Sequence, residues 1–164
     1  MRISVVTVSD RAFKGEYEDL SGPEIERAIA DALPDAAISR DLVPDEEDAI
    51  IGALDRAARS GADWIITTGG TGPGPRDRTP EATAAWIDRE LPGIAEALRA
   101  ESLAETPFAA LSRGIAGMKG AIFVANLPGS PNAARMGAAF LVRIMEHGSA
   151  MARGGAHGPG AGPT

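Results

Sequence analysis

Residues 67–77, TTGGTGPGPRD, hold four of the chain's 20 glycines and two of its 12 prolines. Such a stretch can present Thr68, Gly69, Gly70, Thr71 and Gly72 as a row of backbone N–H groups, a concave site for an anion, because glycine lets a ligand approach the main chain closely. Asp77 closes the stretch between Arg76 and Arg78. A carboxylate beside a phosphate cradle suits a Mg²⁺ ligand, and a guanidinium suits a phosphate oxygen. The bland alternatives are a flexible turn followed by a surface ion-pair cluster, and residue types alone leave both open. The loop is not a Walker A element, since no Gly-Lys-Ser/Thr follows, and Pro75 stands where a dinucleotide fingerprint needs its third glycine.

Two further stretches repeat the theme. Asp45, in VPDEED, is a second candidate metal ligand; its residue type and position favour a simple helix N-cap. Asn126–Pro131 (NLPGSP) turns the chain with Pro128 and Gly129 and opens a helix at Ser130, where an ordinary cap is again the plainer reading. His147 and His157 fall at a helix end and in the C-terminal tail, poor places for catalysis.

These residues need a scaffold that gathers them. Residues 2–8 (RISVVTV) read as a buried strand, 23–33 as a helix opened by Pro23, 36–43 as a strand and 45–59 as a helix with acids in its first turn and arginines in its last. Residues 63–68 form a short strand. Thr79–Pro80 opens a helix to about residue 89, LPG at 91–93 breaks it, and a further helix runs to about residue 105. Residues 111–129 read as a hairpin or bulged extended pair around Gly117–Lys119–Gly120, with AIFVANL as its strongest strand. A last helix covers 131–147. Strands alternating with helices imply an α/β fold, a three-layer αβα sandwich with a mostly parallel central sheet plus the short hairpin. Ligands of such sheets bind beyond the carboxyl ends of the strands. That rule selects the loops 9–22, 44–45, 68–79 and 126–132, and puts Asp45 and Asp77 on one rim.

Bulk properties narrow the classes. A chain of 164 residues that is 44% hydrophobic supports one domain with an aliphatic core. The domain is expected over 1–150, with 151–164 a disordered Gly/Pro/Ala tail. With no cysteine, disulfides, thiolate metal sites and a Cys nucleophile are excluded. No apolar run reaches membrane-spanning length and no secretory leader is legible, so a cytoplasmic protein without a membrane partner is expected. The net charge is −7; residues 1–105 carry 22 acidic and 11 basic side chains, and residues 106–164 one and five. An acidic chain without a Lys/Arg cluster is a poor nucleic-acid binder. If its ligand is a polyanion, local N–H groups and a cation must offset the repulsion.

Taken together, VSDRA with YEDLSG (9–22), VPDE (43–46), TTGGTGPGPRDRTPEAT (67–83), LPG (91–93), LSR (111–113) and NLPGSP (126–131) resemble the molybdopterin-binding proteins of molybdenum-cofactor biosynthesis, in their single-domain MogA/MoaB form. The matching domains of gephyrin and its plant counterpart are similar. The resemblance implies transfer of AMP from Mg-ATP to the molybdopterin phosphate, with release of pyrophosphate. It assigns Asp45 and Asp77 as catalytic and Mg²⁺-binding. By the same resemblance Thr68–Gly72 and Arg76 bind phosphate, and Ser9, Asp10, Ser21, Gly22, Asn126, Pro128, Gly129 and Ser130 form the pterin side. It further implies a homotrimer or hexamer and hand-over of product to a molybdate-insertion protein. A MoaB-type relative that binds molybdopterin without transferring AMP is the alternative.

Overall fold

In the computed structural model, which describes residues 1–155, strand β1 (Arg2–Val8) lies inside a six-stranded sheet. Six of its seven residues are buried, as expected of a continuous apolar run covered on both faces. With β2 (Ala37–Val43), β3 (Trp64–Thr68), β4 (Arg89–Glu90), β5 (Ala116–Lys119) and β6 (Ile122–Leu127), the order across the sheet is β2-β1-β3-β6-β5-β4. The first four strands in that order pair parallel; β5 and β4 are antiparallel additions at one edge.

The helices form two outer layers. On one face, α2 (Ser21–Ala32), α5 (Pro92–Glu105) and α6 (Pro131–Ala152) pack Ile25, Ile29, Leu98, Leu141 and Met145 against Ile3, Val5, Trp64 and Ile66. On the other, α3 (Glu47–Arg59) and α4 (Thr79–Trp86) pack Ile50, Leu54 and Trp86 against Val6, Val8, Ile65 and Val124. Alternate residues of one strand thus feed two separate cores. The αβα sandwich, its mostly parallel sheet and its hairpin are as the sequence implies. The hairpin turns at Gly120–Ala121, between the paired residues Lys119 and Ile122.

Several boundaries differ from the sequence reading, each for a tertiary reason. The loop after β1 contains a four-residue helix, α1 (Asp10–Phe13), capped by Ser9 Oγ accepting from the Ala12 N–H at 3.2 Å. Helix α2 starts at Ser21, two residues before Pro23, because the Asp19 carboxylate accepts from the Gly22 N–H at 3.0 Å. Helix α4 stops at Trp86 rather than near residue 89: the Asp88 N–H donates to Met118 O at 2.7 Å, which draws the following residues into the sheet as β4. Helix α6 runs past His147 to Ala152, and Arg153 then pairs with Asp63 at 3.2 Å. Of the expected tail, residues 156–164, with His157, lie outside the described residues. Among the described residues, no helix is long and apolar enough to cross a membrane.

Candidate functional site

The chain leaves β1 for β2 on one side and returns to β3 on the other, so the carboxyl ends of β1 and β3 flank a crevice between diverging connections. All four selected loops meet there. A cleft of about 260 Å³ is lined by Thr7, Ser9, Tyr17, Asp19, Ser21, Asp45 and Asp77, among others. Beside it a second cavity of about 430 Å³ is bounded by Gly69–Gly72, Phe108, Leu111, Pro128, Gly129 and Ser130. Gly69, Gly70, Asp77 and Gly129 border both. The site is one trough with two lobes and a waist built from the glycine loop.

The loop's conformation follows from where its carbonyls go. Gly69 and Gly70 have φ of +94° and +61°, and a Cβ on Gly69 would collide with Val8 O, so only glycine lets the chain turn this tightly over the end of β1. The Gly69 carbonyl accepts from Thr79 Oγ1 at 2.8 Å and the Gly70 carbonyl from the Thr79 N–H at 3.0 Å. The Thr71 carbonyl accepts from the Arg113 N–H at 2.9 Å and the Gly72 carbonyl from Arg113 Nε at 2.7 Å. No peptide among the described residues is cis, and a trans peptide sets each N–H opposite the preceding carbonyl. Each N–H of Gly70, Thr71 and Gly72 therefore points away from the group that holds the carbonyl before it. Among the described residues none of these three N–H groups has a protein acceptor. These adjacent donors line the trough and are left for solvent or a ligand to satisfy.

The two candidate carboxylates converge on this loop. A Cβ on Gly70 would stand 3.0 Å from Asp45 Oδ1, and one on Gly72 would stand 2.9 Å from Asp77 Oδ2. Both plainer readings of these residues are corrected. Asp45 does not cap α3: that helix begins at Glu47 after Glu46, with no side-chain cap, and Asp45 Oδ2 instead accepts from the Asp10 N–H at 2.7 Å. Asp77 belongs to no arginine cluster either. Arg76 pairs with Asp10 at 2.8 Å and Arg78 with Glu47, while Asp77 Oδ2 accepts from the Gly74 N–H at 2.8 Å. Thr79 likewise stands one residue inside α4 and does not cap it, its hydroxyl being spent on Gly69.

Charge is unevenly settled in the cleft. Burial pushes the Asp45 carboxyl above the ordinary aspartate range, and the neighbouring carboxylates of Asp10 and Asp77 push the same way. Asp10 is held below that range: partial burial opposes this, but the Arg76 fork and the Asp45 N–H outweigh it. The trough is thus short of positive charge where Asp45 and Asp77 meet. Among the described residues no group of three or more His, Cys, Asp or Glu is arranged to hold a metal ion. Two carboxylates suit Mg²⁺ all the same, because that ion keeps waters and takes its remaining oxygens from substrate phosphates.

The other expected residues divide. Ser9 and Ser21 line the smaller lobe, and Pro128, Gly129 and Ser130 the larger, so the residues expected together on the pterin side stand on both sides of the waist. Thr68 Oγ1 donates to Pro128 O at 2.8 Å, joining the two strand ends. Ser130 precedes α6 without a side-chain cap bond. Gly22 is buried against Asp19 and Thr7, which share a hydrogen bond of 2.8 Å. Asn126 is turned into the sheet: its amide donates to Thr67 and Thr83 at 2.9 Å each and accepts from the Ile115 N–H. Asp19, Tyr17 and Arg113 are site residues that sequence reasoning misses. They sit inside quoted motifs, but nothing in a one-dimensional pattern says that Asp19 and Tyr17 line the trough or that Arg113 backs its glycine loop.

Comparison with known proteins fits this geometry. A family model described as a probable molybdopterin binding domain matches residues 4–147. The molybdopterin adenylyltransferase of Haemophilus influenzae is 42% identical over 135 residues, covering 81% of this chain and 68% of that protein. The molybdenum cofactor biosynthesis bifunctional protein of Synechococcus elongatus is 42% identical over 155 residues; this chain spans 48% of its length. The crystal structure of the molybdopterin biosynthesis enzyme MoaB from Thermus thermophilus superposes with a TM-score of 0.85 at 43% identity, covering 93% of this chain and 96% of that one.

Proposed function

This chain belongs to the molybdopterin-binding family of molybdenum-cofactor biosynthesis, and on that premise we propose that it is a molybdopterin adenylyltransferase, moving AMP from ATP to the molybdopterin phosphate with release of pyrophosphate. The observation that carries the reading is the waist, where three unpaired N–H groups stand beside two carboxylates.

The two lobes suit two planar heterocycles, one from each substrate, with their phosphates meeting at the waist. The N–H groups of Gly70, Thr71 and Gly72 receive phosphate oxygens, and their prior orientation spares reorganisation during the reaction. Asp45 and Asp77 are the residues that would hold Mg²⁺. Mg²⁺, when bound, neutralises charge on the phosphate oxygens and lets two anions approach. The pterin phosphate attacks the α-phosphorus in line; a new P–O bond forms as the bond to pyrophosphate breaks. That nucleophile is an anion at neutral pH, so the chain needs no general base. Arg76 is parked on Asp10 and within reach of the rim, where an incoming phosphate can compete for its fork. Homotrimeric assembly, hand-over of product to a molybdate-insertion protein and a cytoplasmic location form part of the same proposal, supported by the family alone.

The test is pyrophosphate release from Mg-ATP in the presence and absence of molybdopterin. Release that depends on molybdopterin is expected. Pterin binding with no release contradicts the transfer reading and leaves a binding protein of the MoaB type.

A further inference from the structure

The LSR stretch at 111–113 carries no task in the mechanism, yet its arginine makes the densest set of contacts behind the glycine loop. Its backbone N–H holds Thr71 O at 2.9 Å. Its guanidinium donates from Nε to Gly72 O at 2.7 Å, from Nη2 to Asp77 O at 2.6 Å, and from Nη1 to Glu81 in the first turn of α4. One planar fork therefore spans both limbs of the loop, from the amide row to the residue bearing the second carboxylate, and on to the helix that follows. A guanidinium can do this because its donors are fixed in one plane; an ammonium would satisfy one acceptor at a time.

We propose that Arg113 is a positioning residue for the transfer reaction: by holding the Gly72 and Asp77 carbonyls with its side chain, it fixes the limb that carries the Asp77 carboxylate in register with the amide row, whose Gly72 N–H is already set by the main-chain bond from Arg113 N–H to Thr71 O. The inference rests on the adenylyltransferase reading for its kinetic consequence, though not for its consequence in anion binding. Its rival is a partly exposed ion pair between Arg113 and Glu81, which would contribute little. The two differ in what matters, the carbonyl contacts or the carboxylate contact. Without the side chain, the Thr71 carbonyl keeps its main-chain partner while those of Gly72 and Asp77 lose theirs. The limb from Gly72 to Asp77 is then free to rotate its peptides.

The test measures calorimetric affinity for inorganic pyrophosphate with Mg²⁺, the ¹⁵N–¹H shifts of Gly70 and Gly72 during that titration, and KM and kcat for transfer. It uses the wild type, Arg113→Ala, Arg113→Lys and Glu81→Gln. Arg113→Ala is expected to weaken pyrophosphate at least about tenfold and to lower kcat/KM about a hundredfold through both terms, while the Gly70 and Gly72 amides, whose preceding carbonyls keep their partners, still shift at saturating pyrophosphate. Arg113→Lys should stay nearer to Ala than to wild type, and Glu81→Gln should leave pyrophosphate affinity within about twofold of wild type. Wild-type behaviour in Arg113→Lys, or Glu81→Gln as damaging as Arg113→Ala, overturns the proposal. If Arg113→Ala does not fold, the Lys variant decides alone. A wild type that binds pyrophosphate but transfers no AMP refutes the enzymatic reading while the binding comparison still judges Arg113; a wild type that binds no pyrophosphate overturns both.

Discussion

The two ends of the parallel sheet are built on opposite terms. At the amino ends of β3 and β6, Trp64 stacks on Phe123 with ring centroids 4.3 Å apart, the Trp64 indole N–H reaches Ser149 Oγ at 3.0 Å, and Gly148 lets α6 lie close against both rings. At the carboxyl ends of the same strands, Thr68 gives way to a positive-φ turn and Leu127 to Pro-Gly, with unpaired amides and crowded carboxylates between them. One end satisfies its polar atoms and stacks its rings beside an apolar cavity of about 400 Å³; the other leaves donors unpaired and like charges together. Stability and chemistry are thereby separated along each strand, and a variant at one end should spare the property that belongs to the other.

The largest effect is expected at the packed end. Trp64→Ala removes a side chain that is 1% exposed and should cost about 3–5 kcal/mol in chemical denaturation, with KM for both substrates unchanged in the folded enzyme. At the open end, Asp77→Asn should lower turnover about 10²–10³-fold in the pyrophosphate assay while the melting temperature moves by no more than about 2 °C. The Asn side chain can still accept from the Gly74 N–H, so a wild-type rate in this variant would remove Asp77 from the chemistry. Gly70→Ala drives a Cβ into Thr79 Oγ1 and to 3.0 Å from Asp45 Oδ1 at a φ of +61°. It should cost about 1–3 kcal/mol in denaturation and weaken Mg-ATP binding, the one change expected to harm both properties.

The smallest effect has the opposite sign. Because the folded chain holds the Asp45 proton more tightly than the unfolded chain, ionised Asp45 lowers stability at neutral pH. Asp45→Asn should therefore melt higher than wild type at pH 7. That gain should shrink as pH falls through the raised folded value and be lost below 3.8, the ordinary value, where the wild-type carboxyl becomes protonated in both states. Activity should fall even as stability rises. A variant melting at or below the wild-type temperature at pH 7 would show that Asp45 carries no burial cost.

Much of this arrangement is legible in the chain's own pattern. Alternation of Val/Ile runs with capped helices gives the sheet, and the strand-end rule puts Asp45 and Asp77 on one rim before any coordinates. What the pattern hides is whatever another part of the chain decides. PDEED looks like a helix cap because capping is local; Asp45 is claimed instead by the Asp10 amide 35 residues away. Arg76-Asp-Arg78 looks like an ion-pair cluster, yet each arginine has a partner on a different loop, Asp10 or Glu47. The two-residue β4 exists because β5 offers the carbonyls of Met118 and Ala116 to the N–H groups of Asp88 and Leu91 that flank it. Asn126 looks like a loop ligand from its place in NLPGSP, and only the pleat of β6 shows that it faces Thr67 and Thr83.

The claim on which the rest depends is that a phosphate chain lies across the amides of Gly70, Thr71 and Gly72 with a cation between Asp45 and Asp77. A crystal structure with Mg²⁺ and a non-hydrolysable ATP analogue tests it most directly. The expected result is phosphate oxygens about 2.7–3.2 Å from those three nitrogens, with Mg²⁺ bound to Asp77 and Asp45. A triphosphate seated elsewhere, with those amides facing only solvent, would contradict it.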